Sequence, residues 1–140
     1  MALLERQVTD GVAHLTMNAP ERLNALSDEM LAALTGALDD IAGDSAVRAV
    51  VLSGAGKAFC AGHDLKQMTA GRQAEDGGRA YFTDLFDRCT AMMTRIRTLP
   101  QPVIAQVHGL ATAAGCQLVA TSDLAVAAHG TRFGVNGVNI

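Results

Sequence analysis

The chain has 140 residues, 49% of them apolar and 18% charged, with a net charge of −3, a balance that suits one globular domain and excludes disorder. No apolar run reaches the ~18 residues of a membrane-spanning helix, and with no Lys/Arg stripe neither a membrane nor nucleic acid is an expected partner. Cys60, Cys89 and Cys116 show neither CxxC nor Cys/His ligand spacing, so reduced packing thiols are expected, not disulfides or a metal site. The opening Met1-Ala-Leu-Leu-Glu-Arg6 is too acidic and too weakly apolar for a signal or transit peptide, which gives a cytoplasmic expectation.

In chain order, Leu3 to Val8 and Val12 to Thr16 are short β-type runs on either side of Asp10-Gly11, the signature of a type I′ hairpin. Asn18 to Asn24 reads as a loop. Ser27, followed by Asp28 and Glu29, reads as an N-cap with acids in the first turn of a helix whose face is Met30, Leu31, Leu34, Leu38 and Ile41. A β-branched strand follows over Val47 to Leu52, and the Gly54-Ala-Gly-Lys57 turn hands over to Ala58-Phe-Cys-Ala-Gly-His-Asp-Leu65. Thr69 to Gly78 is polar and glycine-containing, which predicts a mobile excursion. Arg79 to Thr98 returns to helical spacing and is stopped by Pro100.

Val103 to Val107 is a nearly unbroken apolar run, which predicts a strand covered on both faces that stops at Gly109. The residues after it, Ala111, Ala113, Ala114 and Gly115, are all small and lead into a helix from Ala114 to Ala120. Two readings stand side by side: small residues let a strand and a helix pack closely, and they leave the N–H groups and positive dipole end of the helix open to a developing oxyanion. Asp123 to Ala128 reads as a further strand. Strands alternating with helices give an α/β class with a largely parallel sheet and helices on its faces.

Asn24-Ala-Leu26, Ala58-Phe-Cys-Ala-Gly-His-Asp-Leu-Lys66, His108-Gly-Leu-Ala-Thr-Ala-Ala-Gly-Cys-Gln-Leu118, Ser122-Asp-Leu124 and Arg132-Phe-Gly134 together resemble the crotonase superfamily, the enoyl-CoA hydratase/isomerase family. The closest resemblance is to its enoyl-CoA hydratase domain-containing branch. It implies a ClpP/crotonase fold with a ββα-type core. It covers the N-terminal half of such a domain, so residues 1–140 are expected to be a partial, truncated domain whose C-terminal half is absent.

The resemblance also implies a coenzyme A thioester as ligand or substrate, no other cofactor and no metal, and a homotrimer or hexamer for a complete version. The thioester carbonyl would accept hydrogen bonds from the backbone N–H groups of His63 and Ala114, an oxyanion hole. Ala114 stands where relatives usually have glycine, so the hole requires a negative φ there. CoA would lie near Arg22, Ala25, Ala61, Asp64, Leu65 and Lys66, with the cations suited to phosphate and the exposed backbone to adenine. The side chains of Asp64 and Asp123 are read as bonding local backbone, His108 as a packed or capping histidine, and His63 as acting through its N–H and not its imidazole.

The glutamates that activate water in hydratases of this family correspond to Gln117 and Gly137. An amide can position water but cannot take its proton, so paired-carboxylate hydration is not expected. Two function classes remain: an acyl-CoA enzyme of hydratase/isomerase type in fatty-acid or acyl-CoA metabolism, and a non-catalytic acyl-CoA-binding homologue with a regulatory or structural role. A serine-peptidase reading is disfavoured, because no serine follows the Gly109 turn.

Overall fold

A computed structural model describes residues 1–135. Strands β1 (Leu4–Thr9) and β2 (Val12–Met17) form an antiparallel hairpin, with Asp10 at φ 51° and Gly11 at φ 78°, the two positive φ values that a type I′ turn demands. Beside β2, strands β3 (Ala49–Gly54), β4 (Val103–Val107) and β6 (Leu124–Ala127) continue the sheet in parallel, in the order β1-β2-β3-β4-β6. Helix α1 (Asp28–Ala42) connects β2 to β3, and α2 (Leu65–Gly71) and α3 (Arg79–Thr98) connect β3 to β4. The largely parallel α/β expectation holds. Ser27 caps α1 as its sequence foretells, its hydroxyl accepting from the Met30 N–H at 3.1 Å.

The register puts Ala13, Leu15, Val50, Leu52, Val103 and Ala105 on one face of the sheet, all buried, in a single core with Met30, Leu34, Leu38 and Ile41 of α1 and Leu85, Cys89, Met92 and Ile96 of α3. The other face differs from expectation. Within the nearly continuous apolar run of β4, Ile104 is half-buried and Gln106 exposed, and beside them Leu124 and Val126 are 64% exposed. Among the described residues the helices thus cover one face, not two, and β4 alternates like a half-wet strand.

Two further elements lie where sequence gave none. A short strand, β5 (Leu110–Thr112), pairs in parallel with β7 (Arg132–Gly134) in a separate two-stranded sheet, and only then does α4 (Ala114–Thr121) begin. Residues 69–78, expected as an excursion, start inside α2 and continue as hydrogen-bonded turns. Asp76 ends them by accepting from the Gly78 and Ala80 N–H groups, both at 2.9 Å, at the start of α3. Gly137, the second of the two glutamate-equivalent positions, lies outside the described residues.

Candidate functional site

Three loops that leave the carboxyl ends of parallel strands meet at the site: residues 18–27 after β2, 55–64 after β3 and 108–113 after β4. Ligand clefts of α/β sheets form at such ends. Asn24 joins the first loop to the second. It is fully buried, with its Oδ1 accepting from the Ala19 N–H and its Nδ2 donating to the Ala55 and Ala58 carbonyls, each at 2.9 Å. Cys60 joins the second to the third, its N–H donating to the Leu110 carbonyl at 3.2 Å and its carbonyl accepting from Thr112 at 3.1 Å. Glycine is required twice at this junction, because a methyl on Gly109 would collide with the Lys57 carbonyl and one on Gly115 with the Cys60 carbonyl. The close-packing reading of the small residues is therefore correct.

The oxyanion reading is compatible with it. The Gly62 carbonyl accepts from the Leu26 N–H at 2.7 Å, and in a trans peptide the following N–H points the opposite way, so the His63 amide turns away from Leu26. The Ala113 carbonyl accepts from the Gln117 N–H at 3.1 Å, which by the same rule turns the Ala114 amide off the front of α4. Neither amide has an acceptor among the described residues. The two motifs touch here: a methyl on Gly62 would lie 3.0 Å from Ala113 Cβ and 3.3 Å from the Ala114 nitrogen. Ala114 does not have positive φ. The strain sits one residue earlier, on Ala113 at φ 52° and ψ −124°, a conformation that favours glycine.

All six residues expected to hold the nucleotide line one pocket of about 270 Å³, Arg22, Ala25, Ala61, Asp64, Leu65 and Lys66, together with Glu21 and His63. Their backbone is less free than expected: the Ala25 N–H donates to Arg22 and the Ala61 N–H to Leu23, so neither amide is available to a base. Asp64 accepts from the Lys66 and Gln67 N–H groups at 2.9 and 3.1 Å, capping α2, and holds Arg22 at 3.5 Å. Among the described residues Lys66 has no ion pair. Asp123 accepts from the Val103 N–H at 2.7 Å, 20 residues away and so not the local backbone expected, and His108 Nε2 bonds the Gly56 carbonyl at 2.6 Å; both are structural.

Burial lowers the pKa of His63 from its ordinary 6.5, a pull only partly offset by the Leu26 backbone and the Asp28 carboxylate, and its buried Nδ1 has no hydrogen-bond partner. The imidazole is therefore neutral near pH 7. Gln117 is exposed on α4, apart from the pocket. Burial drives the Cys60 thiol up to about 12, so it is no nucleophile. No group of His, Cys, Asp and Glu suited to a metal ion occurs among the described residues, and no helix among them is long and apolar enough to cross a membrane. The roles of Asn24 and Ala113 escaped sequence reasoning; the only signal was an asparagine in a loop and an alanine in a glycine-like setting.

With this geometry the comparisons agree: the chain belongs to the enoyl-CoA hydratase/isomerase family, whose profile matches residues 7–140. Within that family it is similar to the enoyl-CoA hydratase domain-containing protein 3, mitochondrial, of Xenopus laevis, 42% identical over 134 residues, which are 96% of this chain and 44% of that protein. A crystal structure of an enoyl-CoA hydratase from Mycobacterium smegmatis superposes with a TM-score of 0.92 at 55% identity, covering 99% of this chain and 52% of that one. The human domain-containing protein 3 gives 0.90 at 38%, covering 99% and 53%. The chain thus spans about half the length of the proteins it matches, and the fold is a truncated crotonase fold. The cytoplasmic expectation is overturned: the Xenopus laevis relative and its namesakes in four other vertebrates are named as mitochondrial. The composition of an N-terminus is a weak guide to compartment.

Proposed function

We propose that the protein binds acyl-CoA thioesters of fatty-acid or acyl-CoA metabolism, with the carbonyl between the His63 and Ala114 amides and the nucleotide over the pocket from Arg22 to Lys66. The observation that carries this reading is the pair of amides with no acceptor among the described residues, each turned outward by the peptide plane it belongs to. Backbone donors fixed in this way stabilise charge as it develops on oxygen without reorganising, and removing one such donor typically costs about 10²–10³ in rate. A lyase or isomerase reaction through an enolate fits this hole. Hydration by paired carboxylates does not, because Gln117 lacks the basicity to take a proton from water. That neutral amide also favours the second reading, a non-catalytic acyl-CoA-binding homologue, which shares the binding step and lacks turnover. A homotrimer or hexamer belongs to the same proposal, supported by the uncovered apolar face of β4 and β6.

Calorimetry tests it. Butyryl-CoA should bind and butyrate should not, and removing the charge of Arg22 or Lys66 should weaken butyryl-CoA by roughly 1 kcal/mol each, the scale of an exposed ion pair. Equal affinity for acid and thioester would overturn the reading. In the same preparations crotonyl-CoA hydration should fall well short of the usual enzymatic range of ~1–10³ s⁻¹.

A further inference from the structure

Aromatic residues are scarce in this chain, four Phe, one Tyr and no Trp, yet three of them stand together at Tyr81, Phe82 and Phe86 on α3. Phe82 and Phe86, one helical turn apart, stack at 6.2 Å between ring centroids and 23° between planes. Tyr81 meets Phe82 edge-on at 5.4 Å, and His63 meets Phe86 edge-on at 5.7 Å. The inner end of this row is fixed. A methyl on Gly71 would collide with the Tyr81 ring and one on Gly78 would lie 2.8 Å from Phe82 Cε2, while the Tyr81 hydroxyl reaches Asp28 at 3.5 Å. The outer end is open, with Phe86 47% exposed.

We propose that this row is the wall against which the acyl group lies, and that it selects aryl acyl groups over alkyl ones. The inference rests on the thioester reading above. His63 ties the two together, since its main chain offers one carbonyl donor and its ring meets Phe86, the outermost ring of the α3 row. An acyl substituent leaving a carbonyl held at the His63 amide would therefore run beside a residue whose own ring touches Phe86. An aryl group there extends a stack that is already pre-ordered, and aromatic pairs gain over plain apolar contact by an amount that corresponds to about two- to tenfold in affinity. The open end of the row and the absence of a charged side chain within it suit a neutral ring, not a carboxylated tail.

The test is calorimetry of the protein with phenylacetyl-CoA, hexanoyl-CoA and CoA. Phenylacetyl-CoA should bind about two- to tenfold more tightly than hexanoyl-CoA, Phe86→Leu should bring that ratio to about one, and Phe86→Tyr should retain it. Because Phe86 is about half exposed and lies outside the buried core, its replacement leaves the core intact, and a circular-dichroism melt checks this. Equal affinities in the wild type, or a ratio that survives both Phe86→Leu and Phe82→Leu, would overturn the aromatic wall and leave the thioester reading standing. Failure of both thioesters to bind more tightly than CoA would overturn the two together.

Discussion

Ala113 occupies φ 52° and ψ −124° where glycine would be at ease, and this strain sets the direction of the Ala114 N–H. Replacing it should relieve the strain without moving the amide, since glycine adopts the same angles freely. Ala113→Gly is expected to raise the stability of the protein by about 1 kcal/mol, read as a higher urea midpoint at unchanged slope; a lower midpoint would show that the conformation is not strained. The residue scale is also where sequence reasoning was most uneven. Ser27 was legible because its partner is a backbone group three residues on; Asp123 and His108 were legible only as structural residues, since their partners Val103 and Gly56 lie 20 and 52 residues away. Asn24 was not, because the three groups it satisfies belong to residues 19, 55 and 58, brought together only by the fold. Ala113 looked like an ordinary small residue, since its strain comes from the strand before it being anchored to Cys60.

At the scale of elements, α2 is the weakest piece that the site depends on. It has seven residues, none buried, so little beyond its Asp64 cap and its contacts with α1 and α3 keeps it folded. Gln67 supplies one such contact, its Oε1 accepting from the Asp28 N–H at 2.8 Å and its Nε2 donating to Glu29 at 2.9 Å. Asp64→Ala should cost about 1 kcal/mol through the lost cap, and should raise amide hydrogen exchange over residues 65–71 first; unaltered exchange there would refute the capping role. The long helices α1 and α3 were legible because each buries one periodic face against the core. By contrast α2 and β5 were hidden: the first has a single turn of apolar residues, and the second is held by pairing to β7 and Cys60, contacts that no local pattern records. In β4 the apolar run concealed an alternation, because one of its two outward side chains, Ile104, is also apolar, and only Gln106 betrays the wet face.

For the whole molecule, the central property is a candidate site at the carboxyl ends of parallel strands, on a sheet with one face uncovered among the described residues. Leu124 and Val126, both 64% exposed on β6, are the apolar surface that partners or further chain would bury. Residues 1–135 on their own should therefore bind a hydrophobic dye strongly, and a dye signal no greater than that of an ordinary monomer would contradict this view of the sheet. The largely parallel sheet was readable from alternation, while the strand order and the one-sided layering were not, because a buried strand and a half-wet apolar strand have the same letters. The proposed function requires the His63 and Ala114 amides to act together on an anionic oxygen, and one titration addresses that directly. A 3-ketoacyl-CoA forms an enolate, followed by its ultraviolet absorbance against pH, free and bound. Two donors aimed at the oxygen should lower the apparent pKa of the bound ligand by at least about one unit, equivalent to ~1.4 kcal/mol. A bound pKa equal to or above that of the free ligand would contradict the account.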